Sequence, residues 1–347
     1  MNRLNLQRTN LGAYLIEHPE ANLAAKLGLT GLFKEEGGED ARSMPEAPNK
    51  AQLADARGEL YEELTLLFEA MEERAGAEEG GFVYGVSCNS LSLPSANLHV
   101  SWEKLVRCAE TAASRAGRKR HSFRLVEMPG NLLEITGLPV ARAMQGAGIE
   151  VLMNDPLADA TSEGKYLLSD DALRRGIPPD YMDVCREALE HFNLEIPDGR
   201  EPTEGEEEIR EVNRAEGCRL LQQLIQGLNS QLTHYTSFKH YESELSGHIT
   251  PLLDDRFEEL DETSAAMLQA FFERYGDMVR YSCAEKTREM VKSGENCPSG
   301  PHTIRANEPL QTYAVRWLTE QPGVSCVVAD METAKQVDDT ALALPNF

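Results

Sequence analysis

The stretch FRLVEMPGNLLEITGLPVARAMQGAGIEVLM (residues 123–153) decides the fold class of this chain. Residues 123–126 and 149–153 are short runs rich in branched and aromatic side chains, which favour β-strands, and residues 138–147 between them have the spacing of a helix. A strand, a helix and a second strand in close succession are typical of a βαβ unit, in which the two strands lie parallel in one sheet.

The same rhythm continues towards the N-terminus. Residues 82–87 predict a strand and 101–116 a helix, while residues 12–16 predict an earlier strand that is apolar on both faces and therefore fully buried. Between these strands, an amphipathic helix is indicated by apolar residues at helical spacing: Leu60, Leu64, Leu67, Phe68 and Met71. The N-terminal part of the chain is thus predicted to form a parallel α/β sheet or barrel.

After Pro156 the alternation of strands and helices stops. A charged linker is predicted at about 196–208, followed by two long helical stretches at about 207–242 and 252–292 that form an antiparallel helical hairpin. The chain then returns to a helix at 309–320 and a strand at 324–328. We therefore expect three segments: strands and helices in 1–160, a mainly helical insertion in 161–307, and the last helix, strand and tail in 308–347.

Composition restricts the function classes. The 347 residues carry a formal charge of −24, a field that repels nucleic acid and anionic lipid, although a solvated acidic surface needs no partner at all. No run of eighteen apolar residues occurs, so we expect no membrane span. The seven cysteines are spread singly, without a CxxC pair, which favours free thiols in a reducing intracellular compartment, cytoplasmic or organellar.

Five segments, in order, resemble the ends of strands four to eight of the aldo-keto reductases. They are YLIEHPE (14–20), YGVSCNS (84–90), LVEMPGNLLE (125–134), GIEVLMNDPL (148–157), and YAVRWL (313–318) with QPGVSCVV (321–328). The match covers roughly 1–160 and 308–344. The resemblance implies a partial TIM (β/α)8-type barrel, with strands four to eight parallel and a long helical insertion before the last helix and strand.

The resemblance also implies what is missing. In the family, the catalytic tyrosine, its partner aspartate and the lysine stand on the first three strands, and the matching segments here begin at strand four. Without the tyrosine no general acid protonates the carbonyl oxygen, and without the lysine nothing tunes its pKa. We expect the family's hydride transfer to be absent.

The positions that resemble the family's NADPH site are mostly altered. Ser87 and Asn89 match the residues that hold the nicotinamide carboxamide. Five positions depart from the family. Glu127 stands in place of a neutral glutamine, Asn154 in place of the tyrosine that stacks on the nicotinamide, and Asp155 in place of a serine at the pyrophosphate. Asp330 and Glu332 stand in place of a glycine and of the arginine or lysine that binds the adenosine phosphate. Each exchange of a cation for a carboxylate costs about 2 kcal/mol or more, so we expect no bound NADP(H).

Other interpretations of individual residues stay open at this point. Glu17, beside His18, stands at the family's active-site histidine position, where a glutamate supports double-bond reduction in some members; it also fits an ordinary polar strand end. Glu127 and Asp155 could form a carboxylate pair for hydrolysis, a metal or a cationic ligand. The remaining candidate ligands, which we expect to be solvated or capping residues, are His234, His240 and His248.

Five parallel strands cannot close an eight-stranded barrel, so the first and last strands of this sheet should each present an edge. The helical insertion could cover an edge, a protein partner or a second copy could pair with it, or the gene product could be truncated. We expect a catalytically inactive structural or interaction component of a larger assembly. The alternative is an NADP-dependent oxidoreductase of carbonyl substrates whose missing half comes from upstream sequence or a partner chain.

Overall fold

A computed structural model describes residues 12–29, 49–77, 82–93, 98–158, 166–178, 180–191, 206–256, 262–331 and 333–343, with only the backbone course for 206–218 and 254–256. The chain divides into two compact units. The sheet unit comprises Met1–Pro156 and Ala314–Val337, and the helical unit comprises Leu157–Tyr313 and Asp338–Phe347.

The sheet unit is built on five parallel strands. They are β1 (Ala13–Glu17), β2 (Val83–Ser87), β3 (Phe123–Pro129), β4 (Glu150–Asn154) and β5 (Cys326–Val327). Their order in the sheet is the order in the chain, and every neighbouring pair is parallel. The predicted α/β fold with a parallel sheet is therefore confirmed, and β1 and β5 lie at the two ends of the sheet.

The helices of this unit follow the strands. They are α1 (Pro19–Lys26), α2 (Lys50–Ala77), α3 (Trp102–Arg115) and α4 (Gly137–Gly146), with a short 3-10 helix at Asn89–Ser92. Helix α2 is much longer than the predicted 60–71, because Asn49 caps it: its Oδ1 accepts hydrogen bonds from the backbone N–H groups of Ala51 (3.0 Å) and Gln52 (2.9 Å). The buried apolar stripe of α2 is also narrower than predicted, since Leu67 is 39% exposed.

The core of the sheet unit joins α2 to the strands. The rings of Phe68, Tyr84 and Phe123 pack with centroids 5.1–5.7 Å apart, and all three side chains are buried. Strand β1 differs from the prediction of a fully buried strand, because Tyr14 is 47% exposed and none of its residues is buried. An apolar run alone does not tell whether a strand lies inside a sheet or at its end.

A buried ion pair lies where β2 and β3 begin. Glu72 is fully buried, and its carboxylate accepts from Arg118 Nη1 (2.6 Å), the Tyr84 hydroxyl (2.9 Å) and the Ser122 N–H (2.6 Å). A buried carboxylate is stable only when such donors replace its lost hydration. This network fixes α2 against the two central strands.

The helical unit contains six helices before residue 300 among the residues described. They are α5 (Asp171–Arg175), α6 (Tyr181–His191), α7 (Glu206–Gln231), α8 (Phe238–Glu244), α9 (Thr250–Arg256) and α10 (Glu262–Ser293), with a π-helical turn at Leu245–Ile249. The predicted continuous helix 207–242 is wrong: it ends at Gln231, and α8 starts anew where Ser237 Oγ accepts from His240 N. Most of the predicted linker lies outside the described residues, because residues 192–205 are not described. The same holds for residues 257–261. Residues 206–208 of that linker are helical instead.

Two further helices follow within the described residues. They are α11 (Leu310–Thr319) and α12 (Ala334–Ala341). Within the helical unit, the buried Asp170 carboxylate pairs with Arg288 on α10 and accepts from the Leu310 N–H (3.1 Å), so that it caps the start of α11. Over the described ranges, no helix is both long and apolar enough to span a bilayer.

Candidate functional site

Most of the candidate residues from the sequence lie together at the carboxyl ends of the parallel strands. Glu17, Ser87 and Asn154 are the last residues of β1, β2 and β4, and the register places Glu17 beside Ser87 and Ser87 beside Glu127. In parallel sheets this edge is where ligand-binding residues gather. The candidate site is therefore the strand-end cluster of Ser87, Glu127, Asn154, Asp155 and Asp330.

A β-bulge in β3, where Arg124 has no partner on β2, determines which residues lie opposite one another in this cluster. Tyr84 pairs with Phe123, but Gly85 pairs with Leu125, so the register shifts by one residue between them. Without that shift Ser87 would lie opposite the apolar Val126 rather than Glu127. Only glycine fits at the bulge, because a Cβ on residue 85 would lie 1.9 Å from the Leu125 carbonyl oxygen.

Glu127 is the centre of the cluster. Its Oε1 accepts one hydrogen bond from Ser87 Oγ and another from Asn154 Nδ2, both at 3.0 Å. The three side chains thus join the ends of β2, β3 and β4. Asn154 Oδ1 is buried and has no hydrogen-bond partner within the described residues. The donors of Ser87 and Asn154 are occupied by a carboxylate rather than presented to a ligand.

Asp155 adds a second negative charge directly after β4. Burial raises the pKa of its carboxyl, and the nearby carboxylates of Asp330 and Glu127 raise it further. Its backbone is left-handed (φ 50°), and Asn131 Nδ2 donates to its carbonyl oxygen at 3.0 Å. Three carboxylates therefore share one neighbourhood. Glu332, the other predicted departure, lies outside the described residues.

The turn after β1 holds Glu17, His18 and a carboxylate that the sequence did not single out. Glu17 is exposed at the strand end. His18 has a left-handed backbone (φ 51°) and its Nδ1 lies 3.4 Å from Glu20 Oε1. Glu20 is only 2% exposed and accepts from the Asn89 N–H at 2.8 Å. The signal in the sequence was an acidic residue in the first turn of α1, directly after β1 and Pro19. If such a side chain is buried, its carboxylate must accept hydrogen bonds from nearby backbone N–H groups.

Asn89, one of the two positions that match the family, is not part of the Glu127 cluster. Its backbone N–H is held by Glu20, and its side chain is exposed. In the parts of the chain given structure, no side-chain hydrogen bond links it to Ser87. The structure therefore brings together Ser87, Glu127, Asn154 and Asp155, with Asp330 in electrostatic range, and leaves Asn89 apart.

The three candidate histidines, His234, His240 and His248, form no such cluster. The rings of His234 and His240 lie 6.2 Å apart, and His240 Nε2 is 3.6 Å from Glu244 Oε1. Across the described ranges, no group of three or more histidine, cysteine or carboxylate side chains has the proximity needed to hold a metal ion. His248 lies exposed in the π-helical turn.

No family model, curated protein or solved structure matches this chain.

Proposed function

We propose that this protein is an aldo-keto reductase-like chain, a partial barrel of strands four to eight, that has lost hydride transfer and serves as a structural or interaction component of a larger assembly. A sheet in which five parallel strands follow chain order is what such a partial barrel requires. The observation that carries the proposal is that the carboxylate of Glu127 accepts hydrogen bonds from Ser87 and Asn154, two positions that the resemblance assigns to the nicotinamide site.

The electrostatics of the strand ends oppose a polyanion. Burial raises the pKa of Asp155, and the carboxylates of Asp330 and Glu127 are close enough to raise it further. A dinucleotide phosphate in this neighbourhood would meet like-charge repulsion. The family carries a glutamine, a serine and a glycine at these three positions, so each carboxylate adds a negative charge that lowers the affinity for the cofactor.

The exposed end of the sheet supports an interaction role. Strand β1 pairs with β2 on one side, through Gly12 O and His18 N, so the backbone groups of Ala13, Leu15 and Glu17 point the other way by the two-residue period of a strand. A strand from another polypeptide could pair with these groups. The charge of −24 favours a partner with a basic surface.

The cofactor part of the proposal is tested by titrating the full chain with NADPH. Quenching of Trp102 and Trp317 and the melting temperature are recorded together. We expect no saturable change below millimolar NADPH. A triple variant, E127Q/D155S/D330G, should gain affinity by at least tenfold if the three carboxylates are the obstacle. Micromolar binding by the unmodified chain would refute the proposal.

The assembly part is tested at the β1 edge. Ala13 is exposed and is the first residue of its strand, a place where proline is tolerated. We expect A13P to leave the melting temperature of the isolated chain nearly unchanged while it shifts the native protein to a smaller sedimenting species. An unchanged sedimentation coefficient, with the unmodified protein itself sedimenting at 38.5 kDa, would exclude assembly through this edge.

The second candidate is the NADP-dependent oxidoreductase completed by upstream sequence or a partner chain. The observation in its favour is again the half-exposed β1, since the strands that precede strand four of a barrel would pair there. NADPH oxidation with a carbonyl substrate separates the two: it should appear only when the completing polypeptide is present, and activity of that complex would favour this candidate.

A further inference from the structure

In the loop before α11, hydrogen bonds connect side chains that can act as a nucleophile to one that can act as a general base. Ser299 Oγ lies 2.7 Å from His302 Nε2, and the other ring nitrogen, Nδ1, lies 2.9 Å from the Tyr313 hydroxyl. Cys297 Sγ is 3.2 Å from Ser299 Oγ. All four residues belong to the helical unit, whereas the strand-end cluster belongs to the sheet unit.

The local backbone holds Ser299 in one position. Gly300 N donates to Cys297 O at 2.9 Å, closing a tight turn around the serine, and His302 N donates to Val291 O at 3.0 Å. Gly300 has φ +87°, a conformation that favours glycine. The serine is partly exposed, whereas Tyr313 and Cys297 are buried. The hydroxyl is therefore fixed against the imidazole and still open to solvent.

From this geometry we propose that Ser299 and His302 form an acyl-transfer site, with Ser299 as the nucleophile, His302 as its general base and Tyr313 as a positioning residue. A serine within 2.6–3.2 Å of a base that is itself oriented by a third group is the arrangement that activates a hydroxyl. The substrate class is activated acyl compounds such as aryl esters.

The reaction proceeds in two balanced steps. Ser299 Oγ attacks the acyl carbon while its proton passes to His302 Nε2; the bond from the acyl carbon to the leaving oxygen breaks, and that oxygen takes the proton from Nε2. Water then attacks the acyl-serine, His302 accepts a proton from the water and returns it to Ser299 Oγ, and the carboxylic acid leaves. No redox partner or metal enters either step.

The state of His302 suits this role. Desolvation by burial lowers the pKa of its imidazole, so the ring is neutral at pH 7 and Nε2 is available as an acceptor when Nδ1–H donates to the Tyr313 oxygen. A neutral tyrosine stabilises an imidazolium less than an aspartate does. A general base of this kind accelerates the reaction by about 10²–10⁴-fold, which is enough for activated esters rather than amides.

The test uses the full chain and a fluorophosphonate probe, which forms a stable adduct with activated serines. We expect one adduct, located by peptide mass spectrometry at Ser299, and absent from S299A. Ser293 offers a matched control, because it is exposed in the same region and donates only to Met290 O, without a histidine. The S293A variant should label like the unmodified protein.

Two further variants separate activation from mere exposure. H302Q should label at least one hundredfold more slowly, while Y313F should label a few-fold more slowly and shift the pH profile of labelling. In the unmodified chain the rate should rise to a plateau with a midpoint below the ordinary histidine pKa, about 6.5. Circular dichroism and melting temperature establish that each variant is folded.

Any of three results would overturn the proposal. These are the absence of an adduct at Ser299 in the folded protein, an adduct whose rate is unchanged in folded H302Q, and a rate that increases with hydroxide without a plateau. Hydrolysis of p-nitrophenyl acetate should follow the same order of variants.

Discussion

The carboxylate of Glu127 lies 3.0 Å from the hydroxyl of Ser87, and these two residues face each other because the register between β2 and β3 shifts by one residue at Gly85. The composition of the candidate site thus depends on a bulge in β3 beside Gly85, two residues before the end of β2. A change at the bulge should affect both the fold and the site.

The G85A variant tests this dependence. Its Cβ would lie 1.9 Å from the Leu125 carbonyl oxygen, so β2 and β3 must separate or re-register. We expect the free energy of unfolding, measured by urea denaturation, to fall by about 3 kcal/mol or more. Gly58, inside α2, is the control, because a Cβ added there would meet no atom within 4 Å. G58A should be more stable by about 0.5–1 kcal/mol. Equal effects of the two changes would contradict the bulge argument.

Glu127 should matter more as an acceptor than as a charge. E127A leaves the donors of Ser87 and Asn154 without their acceptor, which should cost about 1–3 kcal/mol of unfolding free energy. E127Q keeps an acceptor oxygen and removes one negative charge from beside Asp155, so its loss should be clearly smaller. Urea denaturation at pH 7 measures both, and a larger loss for E127Q would show that the charge itself stabilises the site.

Asp155 should make the fold less stable as pH rises. Its pKa is raised by burial first and then by Asp330 and Glu127, so the folded chain binds this proton more tightly than the unfolded chain does. Its contribution is therefore most favourable below its ordinary pKa and is lost as pH rises through the raised value. D155N should be more stable than the unmodified protein at pH 7, and the difference should shrink towards pH 4.

A second substitution at the same position separates charge from backbone geometry. Asparagine tolerates the left-handed conformation of residue 155 (φ 50°), whereas alanine does not tolerate it well. D155A should therefore be less stable than D155N by about 1 kcal/mol at every pH. If the two variants have the same stability, the backbone of residue 155 is not under this constraint.

The buried Glu72–Arg118 pair should be among the most sensitive points of the sheet unit. R118A leaves a fully buried carboxylate without its cation, which should cost about 3–5 kcal/mol. Y84F removes one neutral donor from the same carboxylate and should cost about 1 kcal/mol. Urea denaturation of both variants gives the comparison, and a loss for R118A no larger than that for Y84F would contradict a stabilising role of the ion pair.

Much of the sheet could be predicted from the sequence. Short branched runs separated by helical segments indicated all five strands within three residues of their observed ends, because parallel strands covered on both faces exclude polar residues. The buried β1 was predicted wrongly, since an apolar run carries no information about its neighbours. The break at 232–237 was missed, although Ser237 before α8 is an ordinary cap signal.

The candidate site was predictable only in part. The motifs indicated which residues end the strands, but the hydrogen bonds of Glu127 depend on register, and register depended on a bulge. The Ser299–His302–Tyr313 chain was missed for a similar reason. Its members follow no strand, and the tyrosine reaches the histidine from the first turn of α11.

The last strand of the sheet, β5, is synthesised long after the strand with which it pairs. Ser325 Oγ accepts from Val151 N, 174 positions earlier in the chain, and β5 contributes only two residues. During synthesis β1 to β4 can pair as they emerge, but the outer side of β4 stays unpaired until residues 157–313 of the helical unit have been made. A ribosome that pauses within that unit would leave this side open, so the nascent chain is most exposed to chaperones and to misassociation during this interval.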